Sequence, residues 1–325
     1  MNDGSSPVLS IVIPIKDEID TLPALARRIE ESLAGELADA EVVFVDDGST
    51  DGSARWIAER HAVDPRFRLV RLSRNFGHQA AVTAGLAHAT GRAIVLMDGD
   101  LQDPPEMIPA LFAKWREGNE VVQTVKTRRK ESWPRRVAFR AFYRVMRALA
   151  SEGDMPLQAG VFSLLDRRVV DELLRMPERN RYLAGLRSWV GFRQTAVEYE
   201  RDARWSGEPR VSVARLFRLA FDGIFSFSNL PLRLATLLGL IVSLAAFLLM
   251  AAILYLRLFT DRAILGWASL MTSVLFLGGV ILVTIGIIGE YTGRIYDEVK
   301  RRPLYVVAER VGLASGASEP EDRRL

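Results

Sequence analysis

Up to Arg210 the chain alternates short apolar runs with stretches in which apolar side chains recur every three or four positions. The runs "LSIVIP", "AEVVFVDDGS", "FRLVRL", "RAIVLMDGD" and "EVVQTV" are rich in β-branched residues and predict strands. Between them, Thr21 to Leu33, Asp51 to Arg60, Gly77 to Ala89 and Pro105 to Glu117 have helical period. Strands that are apolar throughout, alternating with helices, predict an α/β domain built on a mostly parallel sheet covered on both faces. A later segment, "LQAGVFSLLDRR", predicts a strand that ends in Asp166 and leads into a helix.

The pattern then changes. Arg233 to Arg257 and Arg262 to Glu290 bound apolar runs without a charge, each longer than the roughly 20 residues needed to cross a bilayer core. They predict two transmembrane helices joined by the hairpin "RLFTDR". Lys and Arg are denser outside the pair (Arg210, Arg215, Arg218 and Arg233 before it, Arg294, Lys300, Arg301 and Arg302 after it), so both termini are expected in the cytoplasm. The stretch Val211 to Phe227, apolar around much of its circumference with Arg215 and Arg218 among the apolar residues, predicts an interfacial helix in the headgroup layer. The start "MNDGSSPVLS" has neither a basic n-region nor an apolar h-region, so no signal peptide is expected. The expected organisation is a cytoplasmic α/β domain over 1–210, juxtamembrane amphipathic helices over 211–231, two spans over 232–290 and a cytoplasmic tail over 291–325.

In parallel α/β sheets ligands bind beyond the carboxyl ends of the strands. Polar clusters fall there: "KDE" after the first strand, "DDGSTD" after the second, "SRNFG" after the third and "DGDLQD" after the fourth. Asp, Ser and Gly are ordinary turn and capping residues, so "DDGSTDGS" alone could do no more than end a strand and start a helix. The fourth loop asks for more, because Asp98 and Asp100 emerge from a buried strand, where neighbouring carboxylates repel each other. Cysteine is absent and histidine limited to His61, His78 and His88, which excludes disulfides, thiolate metal sites and cysteine nucleophiles. Oxygen ligands then point to Mg²⁺ or Mn²⁺, held by one or two carboxylates and a substrate's phosphates. A net charge of +3 is a mild basic excess that suits an anionic substrate or a membrane surface. No G-x-G-x-x-G follows the first strand, which excludes a dinucleotide-binding dehydrogenase.

The motifs "IVIPIKDE", "VDDGSTDGS", "RNFGHQAAVTAGL" and "LMDGDLQDPPEMIP", in this order, resemble the inverting glycosyltransferases of family 2, which have the GT-A fold. The later segments "ERNRYLAGLRSWVGFR", "DGIFSFSNLPLRL" and "IGEYTGRIYDEVKRRPLYVV" are similar to the bacterial polyprenyl-phosphate glycosyltransferases with two C-terminal transmembrane helices, relatives of dolichyl-phosphate mannose synthases. The resemblance implies that Asp98 and Asp100 are catalytic, and that with Gln102 they bind the metal and the donor diphosphate. It places Pro14, Glu18, Asp46, Asp47, Arg74 and Asn75, together with Asp98, around the nucleotide sugar. Lys16 and Asp17 stand where relatives carry an aromatic and an asparagine. For the lipid phosphate it implies Lys126, Arg129 and Arg136 in "VKTRRKESWPRR", and Arg204 and Arg210 in "RDARWSGEPR". Val161 and Ser163 replace an acid and an arginine of the relatives, so no role carries over to them.

The activity so implied is transfer of a sugar from a UDP- or GDP-linked donor to polyprenyl (undecaprenyl) phosphate, inverting the anomeric centre, to supply lipid-linked sugar for cell-envelope glycan or lipid A modification. The protein is then expected as a multi-pass protein of the bacterial inner membrane, with its catalytic domain cytoplasmic, no nucleic-acid partner and room for a homo-oligomer. A polyprenyl monophosphate is anionic near neutral pH, so no side chain is assigned as a base; catalysis becomes positioning and charge neutralisation. The alternatives are a membrane-anchored scaffold with a degenerate transferase domain, or a glycosyltransferase of another acceptor. A processive synthase would need more membrane helices to form a channel.

Overall fold

The computed structural model describes residues 7–33, 35–126, 161–179, 181, 183–199, 230–259 and 266–313. The interfacial helix predicted within 211–227 and the second half of the hairpin "RLFTDR" lie outside these residues. The structure divides into two compact units, one holding the α/β elements together with the segment from Arg302 onward, the other holding the long apolar helices.

In the first unit the elements follow as β1 (Leu9–Ile15), α1 (Leu22–Ser32), β2 (Glu41–Asp46), α2 (Ser53–Val63), β3 (Phe67–Leu72), α3 (His78–His88), β4 (Ala93–Leu96), α4 (Ile108–Arg116) and β5 (Val121–Lys126). After these come β6 (Ser163–Asp166), α5 (Arg167–Arg175), α6 (Leu183–Trp189) and β7 (Gln194–Tyr199). The strands form one eight-stranded sheet in the order β7-β5-β6-β4-β1-β2-β3-β8, where β8 is Val307–Val311. β1 pairs in parallel with β2 and β4, β2 with β3, and β5 with β7, while β6 and β8 run antiparallel to their neighbours. The predicted mostly parallel α/β sheet is therefore observed.

Local sequence explains these elements. Every residue of β1 and β2 is buried, as expected of strands covered on both faces. In α1 the buried residues are Leu22, Leu25, Ala26 and Ile29, spaced three or four apart on one face. Burying such a leucine or isoleucine fully is worth about 1.5–3 kcal/mol, an upper figure because the unfolded chain already hides some surface. Gly85 lets α3 lie close on the sheet: a Cβ there would come 2.2 Å from Val12 Cγ1. The predicted helix over Pro105 to Glu117 begins instead as a 3₁₀ turn, Pro105–Met107, and becomes α-helical at Ile108. Pro104 and Pro105 have no N–H to give, and the turn closes instead through the Met107 N–H, which donates to Pro104 O at 3.1 Å. At the start of α5, Asp166 caps the helix by accepting from the Arg168 N–H at 3.0 Å.

The second unit contains α7 (Leu230–Phe259) and α8 (Trp267–Val299), which pack on one another. Within α8 the segment Phe276–Val299 has mean hydropathy 1.6 and none of it is buried, so it is long and apolar enough to cross a membrane. Among the described residues it is the one helix that meets that test, with Ala235–Leu249 of α7 a shorter apolar stretch. Leu240, Phe247 and Leu248 of α7 are also exposed. Apolar surface left bare on this scale marks a surface meant for something other than water.

Candidate active site

The loops that follow β1, β2, β3 and β4 meet at the carboxyl end of the sheet and are tied to one another by hydrogen bonds. Asp17, at φ +53°, accepts from the Thr50 N–H at 2.8 Å, and its own N–H donates to Ser49 Oγ at 2.9 Å. The left-handed conformation is one that Asp tolerates better than most residues. The Thr50 N–H also holds the Asp17 carboxyl below the usual carboxylate range. Lys16 Nζ reaches Gly48 O at 3.3 Å, so both residues that depart from the family pattern brace the first loop against the second.

Glu18 donates its N–H to Ser53 Oγ, and Ile19 donates to Asp51 Oδ2. Burial raises the Asp51 carboxyl, but hydrogen bonds from the Ser53 hydroxyl and the Ile19 and Ser53 N–H groups outweigh this and leave it lowered. Asp51 thus does more than end a strand: it joins two loops. Thr21 Oγ1 donates to Gly99 O at 3.2 Å and lies 3.1 Å from Glu18 Oε2, linking the first loop to the fourth.

Pro14 lies opposite Val45, and Ile15 opposite Asp46, so both strands present their last residues at the same level. Asp46 is fully buried. Its Oδ1 accepts from the Ser49 N–H at 2.9 Å, while Oδ2 has an ion pair with Arg71 Nε at 3.6 Å and no hydrogen bond among the described residues. A buried carboxylate oxygen in that state can accept from a ligand N–H or hydroxyl. Asp47 is engaged differently, taking the N–H groups of Phe76 at 2.7 Å and Gly77 at 3.0 Å. Burial pushes its carboxyl up, and these two N–H groups pull against that. In this arrangement Asp47 fixes the third loop. Arg74 and Asn75 in that loop are exposed, the Arg74 guanidinium lying 4.3 Å from the Phe76 ring centroid and Asn75 Oδ1 accepting from the Gly77 N–H.

The fourth loop curls back on itself. Leu101 adopts φ +61° although it is neither glycine nor exposed, a conformation that costs a side-chain-bearing residue about 1–2 kcal/mol. The turn lets Asp100 Oδ1 accept from the Gln102 N–H at 3.1 Å and Asp103 Oδ2 accept from the Asp98 N–H at 3.2 Å. Gln102 itself is buried, and its backbone is what reaches Asp100. The Asp98 side chain is 37% exposed, with His78 Nε2 3.8 Å from its Oδ1.

No group of three or more His, Asp or Glu side chains forms a ready-made metal cage among the described residues. Two neighbouring carboxylates at a rim, one of them well exposed, fit a cation whose remaining ligands are substrate phosphates. Lys126 ends β5, and its backbone is in register with Tyr199. Arg129, Arg136, Arg204 and Arg210 lie outside the described residues.

The rim also contains residues that had no role assigned from the sequence. His78 begins α3 and faces Asp98; Thr21 joins two loops; Asp103 and Tyr199 share a hydrogen bond. The string "RNFGHQ" offered a signal for His78. Tyr199 offered none, being one aromatic at a strand end.

Comparison with known proteins matches residues 10–174 to the family described as "Glycosyl transferase family 2". The chain is 45% identical to "Uncharacterized glycosyltransferase YkcC" of Bacillus subtilis over 94% of each chain. It is 43% identical to "Uncharacterized glycosyltransferase sll0501" of Synechocystis sp., covering 94% of this chain and 96% of that one. With "Prophage bactoprenol glucosyl transferase homolog" of Escherichia coli it shares 37% identity over 92% of this chain and 98% of that one. A family match across the sheet and its rim loops, joined to relatives aligned over almost their whole length, makes this chain a glycosyltransferase belonging to family 2.

Proposed function

We propose that the chain transfers a sugar from a UDP- or GDP-linked donor to polyprenyl phosphate at the cytoplasmic face of a bacterial inner membrane, inverting the anomeric centre. The observation that carries this reading is the loop after β4, which presents Asp98 and Asp100 at the carboxyl end of the sheet, the same end at which β2 finishes in Asp46 with a buried oxygen that lacks a hydrogen bond among the described residues. The acceptor reading is supported by the relative named for bactoprenol, a polyprenyl alcohol, which aligns over 92% of this chain. The exposed apolar surface of α8 supports a membrane location, and α7 with α8 would form the two spans.

In this reading Asp98 and Asp100, with Gln102 beside them, hold Mg²⁺ or Mn²⁺ against the donor diphosphate. When bound, the cation supplies positive charge to the departing nucleoside diphosphate. Pro14, Glu18, Asp46 and Asp47 surround the nucleoside, and Arg74 and Asn75 lie along the third loop. Lys126, Arg129, Arg136, Arg204 and Arg210 take the lipid phosphate, where guanidinium forks suit its oxygens. The phosphate oxygen attacks the anomeric carbon in line, the bond to the diphosphate breaks, and no protein base is required.

The test is a screen of UDP- and GDP-sugars against undecaprenyl phosphate with the full chain in detergent, beginning with UDP-glucose. One donor should give a lipid phosphosugar, and Asp100→Asn should lower turnover at least a hundredfold, about 3 kcal/mol or more of barrier, with the thermal transition unchanged. Full activity in excess EDTA would remove the metal from this scheme. Transfer to water or soluble acceptors only would remove the lipid.

A further inference from the structure

Asp103 belongs to the same acidic run as Asp98 and Asp100 but is buried where they are partly exposed. It is 3% exposed, and both of its oxygens are engaged. Oδ2 accepts from the backbone N–H of Asp98, and Oδ1 accepts from the Tyr199 hydroxyl at 3.1 Å. The sheet order places β6 and β5 between β4 and β7, so this carboxylate joins the loop after β4 to a strand beyond its neighbours. Tyr199 is buried, edge-on to Phe162 with ring centroids 5.8 Å apart and planes at 87°, which fixes where its hydroxyl points. It is the last residue of β7 and stands in register with Lys126, the last residue of β5.

The chain leaves these two strand ends directly into 127–160 and 200–229, the segments that carry Arg129, Arg136, Arg204 and Arg210. The group that fixes the backbone of Asp98 is thus the group that anchors the point where the basic segments begin. A buried carboxylate with a donor on each oxygen is a stiff joint, because hydrogen bonds to an ionised acceptor are about twice as strong as neutral ones.

We propose that Asp103 and Tyr199 form a positioning pair that holds the donor loop after β4 at a fixed distance from the ends of β5 and β7, the points from which the chain runs on into the two basic segments. The proposal rests on the function proposed above and adds to it two residues that touch neither substrate. In-line transfer tolerates little error in that distance, since displacement of about 1 Å can cost a hundredfold. Asp103 would hold the donor side through the Asp98 N–H, and Tyr199 the acceptor side through its place at the end of β7.

The two halves of the pair separate experimentally. Glycosyltransferases also pass the sugar slowly to water, which needs the donor loop but not the acceptor segments. Tyr199→Phe keeps the ring against Phe162 and removes only the hydroxyl. It should lower kcat for undecaprenyl phosphate about tenfold, leaving UDP-glucose affinity and hydrolysis to water within about twofold of the parent. If the screen selects another nucleotide sugar, that donor replaces UDP-glucose. Asp103→Ala, which frees the Asp98 N–H as well, should weaken donor binding, hydrolysis and transfer together. Asp103→Asn can still accept from the Asp98 N–H and donate to the Tyr199 oxygen, so it should recover most of the loss.

Unchanged transfer in Tyr199→Phe would overturn the pair. So would a parallel fall in donor affinity, hydrolysis and thermal transition, which would make the hydroxyl a purely structural contact. If the parent protein does not use undecaprenyl phosphate at all, the acceptor reading fails on its own. The pair is then judged by donor binding: loss in Asp103→Ala with recovery in Asp103→Asn upholds the Asp98 anchor, and no loss refutes it.

Discussion

At the level of single residues, the rim is held by backbone geometry as much as by its charges. Gly48 has φ +73°, and a Cβ placed there would meet Arg74 C and Asn75 N at 2.8 Å. Two loops touch through their main chains at that point, and neither neighbour can rotate away. Gly48→Ala should therefore cost about 1–3 kcal/mol in stability and shift Arg74, Asn75 and the N–H groups that Asp47 holds. The measurement is a thermal transition together with donor affinity, and loss of affinity without any fall in stability would show that the loops slide freely. That Asp98, Asp100, Asp46 and Asp47 stand at the ends of buried strands was legible, because acids after an apolar run are conspicuous; the roles proposed for them come from the family resemblance. The residues that orient them were not legible. Thr21, Asp103 and Tyr199 act through partners far away in sequence, and nothing in a linear pattern reveals that a threonine oxygen meets Gly99 or that a tyrosine meets Asp103.

Among the secondary elements, strands β1 to β5 and helices α1 to α3 fall close to where periodicity put them, most plainly β1 and β2, which are buried throughout, and α1, which buries a single apolar stripe. β6 was equally readable, including its junction with α5 at Asp166. β8 was not, since Val307–Val311 has charged residues at its centre and most of it is exposed. It is recognisable as a strand only beside β3, where the Ser73 N–H donates to Val306 O and Arg71 lies 3.7 Å from Glu309. Arg310 Nε also donates to His88 Nε2 at 3.1 Å while His88 Nδ1 is 2.8 Å from Ala84 O, so the ring is neutral with its proton on Nδ1. Burial lowers its protonation below the ordinary 6.5, and the Arg310 charge adds to this against the Ala84 contact. A histidine whose folded value is lowered takes up more protons when unfolded, so stability is complete above about pH 6.5 and declines as the pH falls from there towards the folded value. The stability difference between the parent and His88→Gln should shrink over that interval. A difference that does not change with pH would mean that Arg310 docks independently of the ring.

Over the whole molecule, the chain passes from the α/β unit through the helical unit and returns at Arg302. With two spans, residues on either side of the pair share one face of the membrane and the hairpin lies on the other. The chain has no cysteine, so Ser6→Cys, Thr260→Cys and Ser318→Cys can each be labelled without background. An impermeant thiol reagent should reach Thr260→Cys only from outside the cytoplasm, and the other two only after lysis. The reverse result at Thr260 would refute the two-span arrangement. The position of β8 has one more consequence. A ribosome finishes α8 before it makes Val307–Val311, so the outer edge of β3 emerges early and waits unpaired until the last strand arrives. Open strand edges recruit other chains. A stop codon at Pro303 would leave every helix and every rim loop encoded, yet the shortened protein should come out of the membrane fraction as oligomers, with the parent monodisperse under the same detergent. Co-expression of the missing segment as a free peptide should suppress that association, because what the early chain lacks during synthesis is a neighbour for β3.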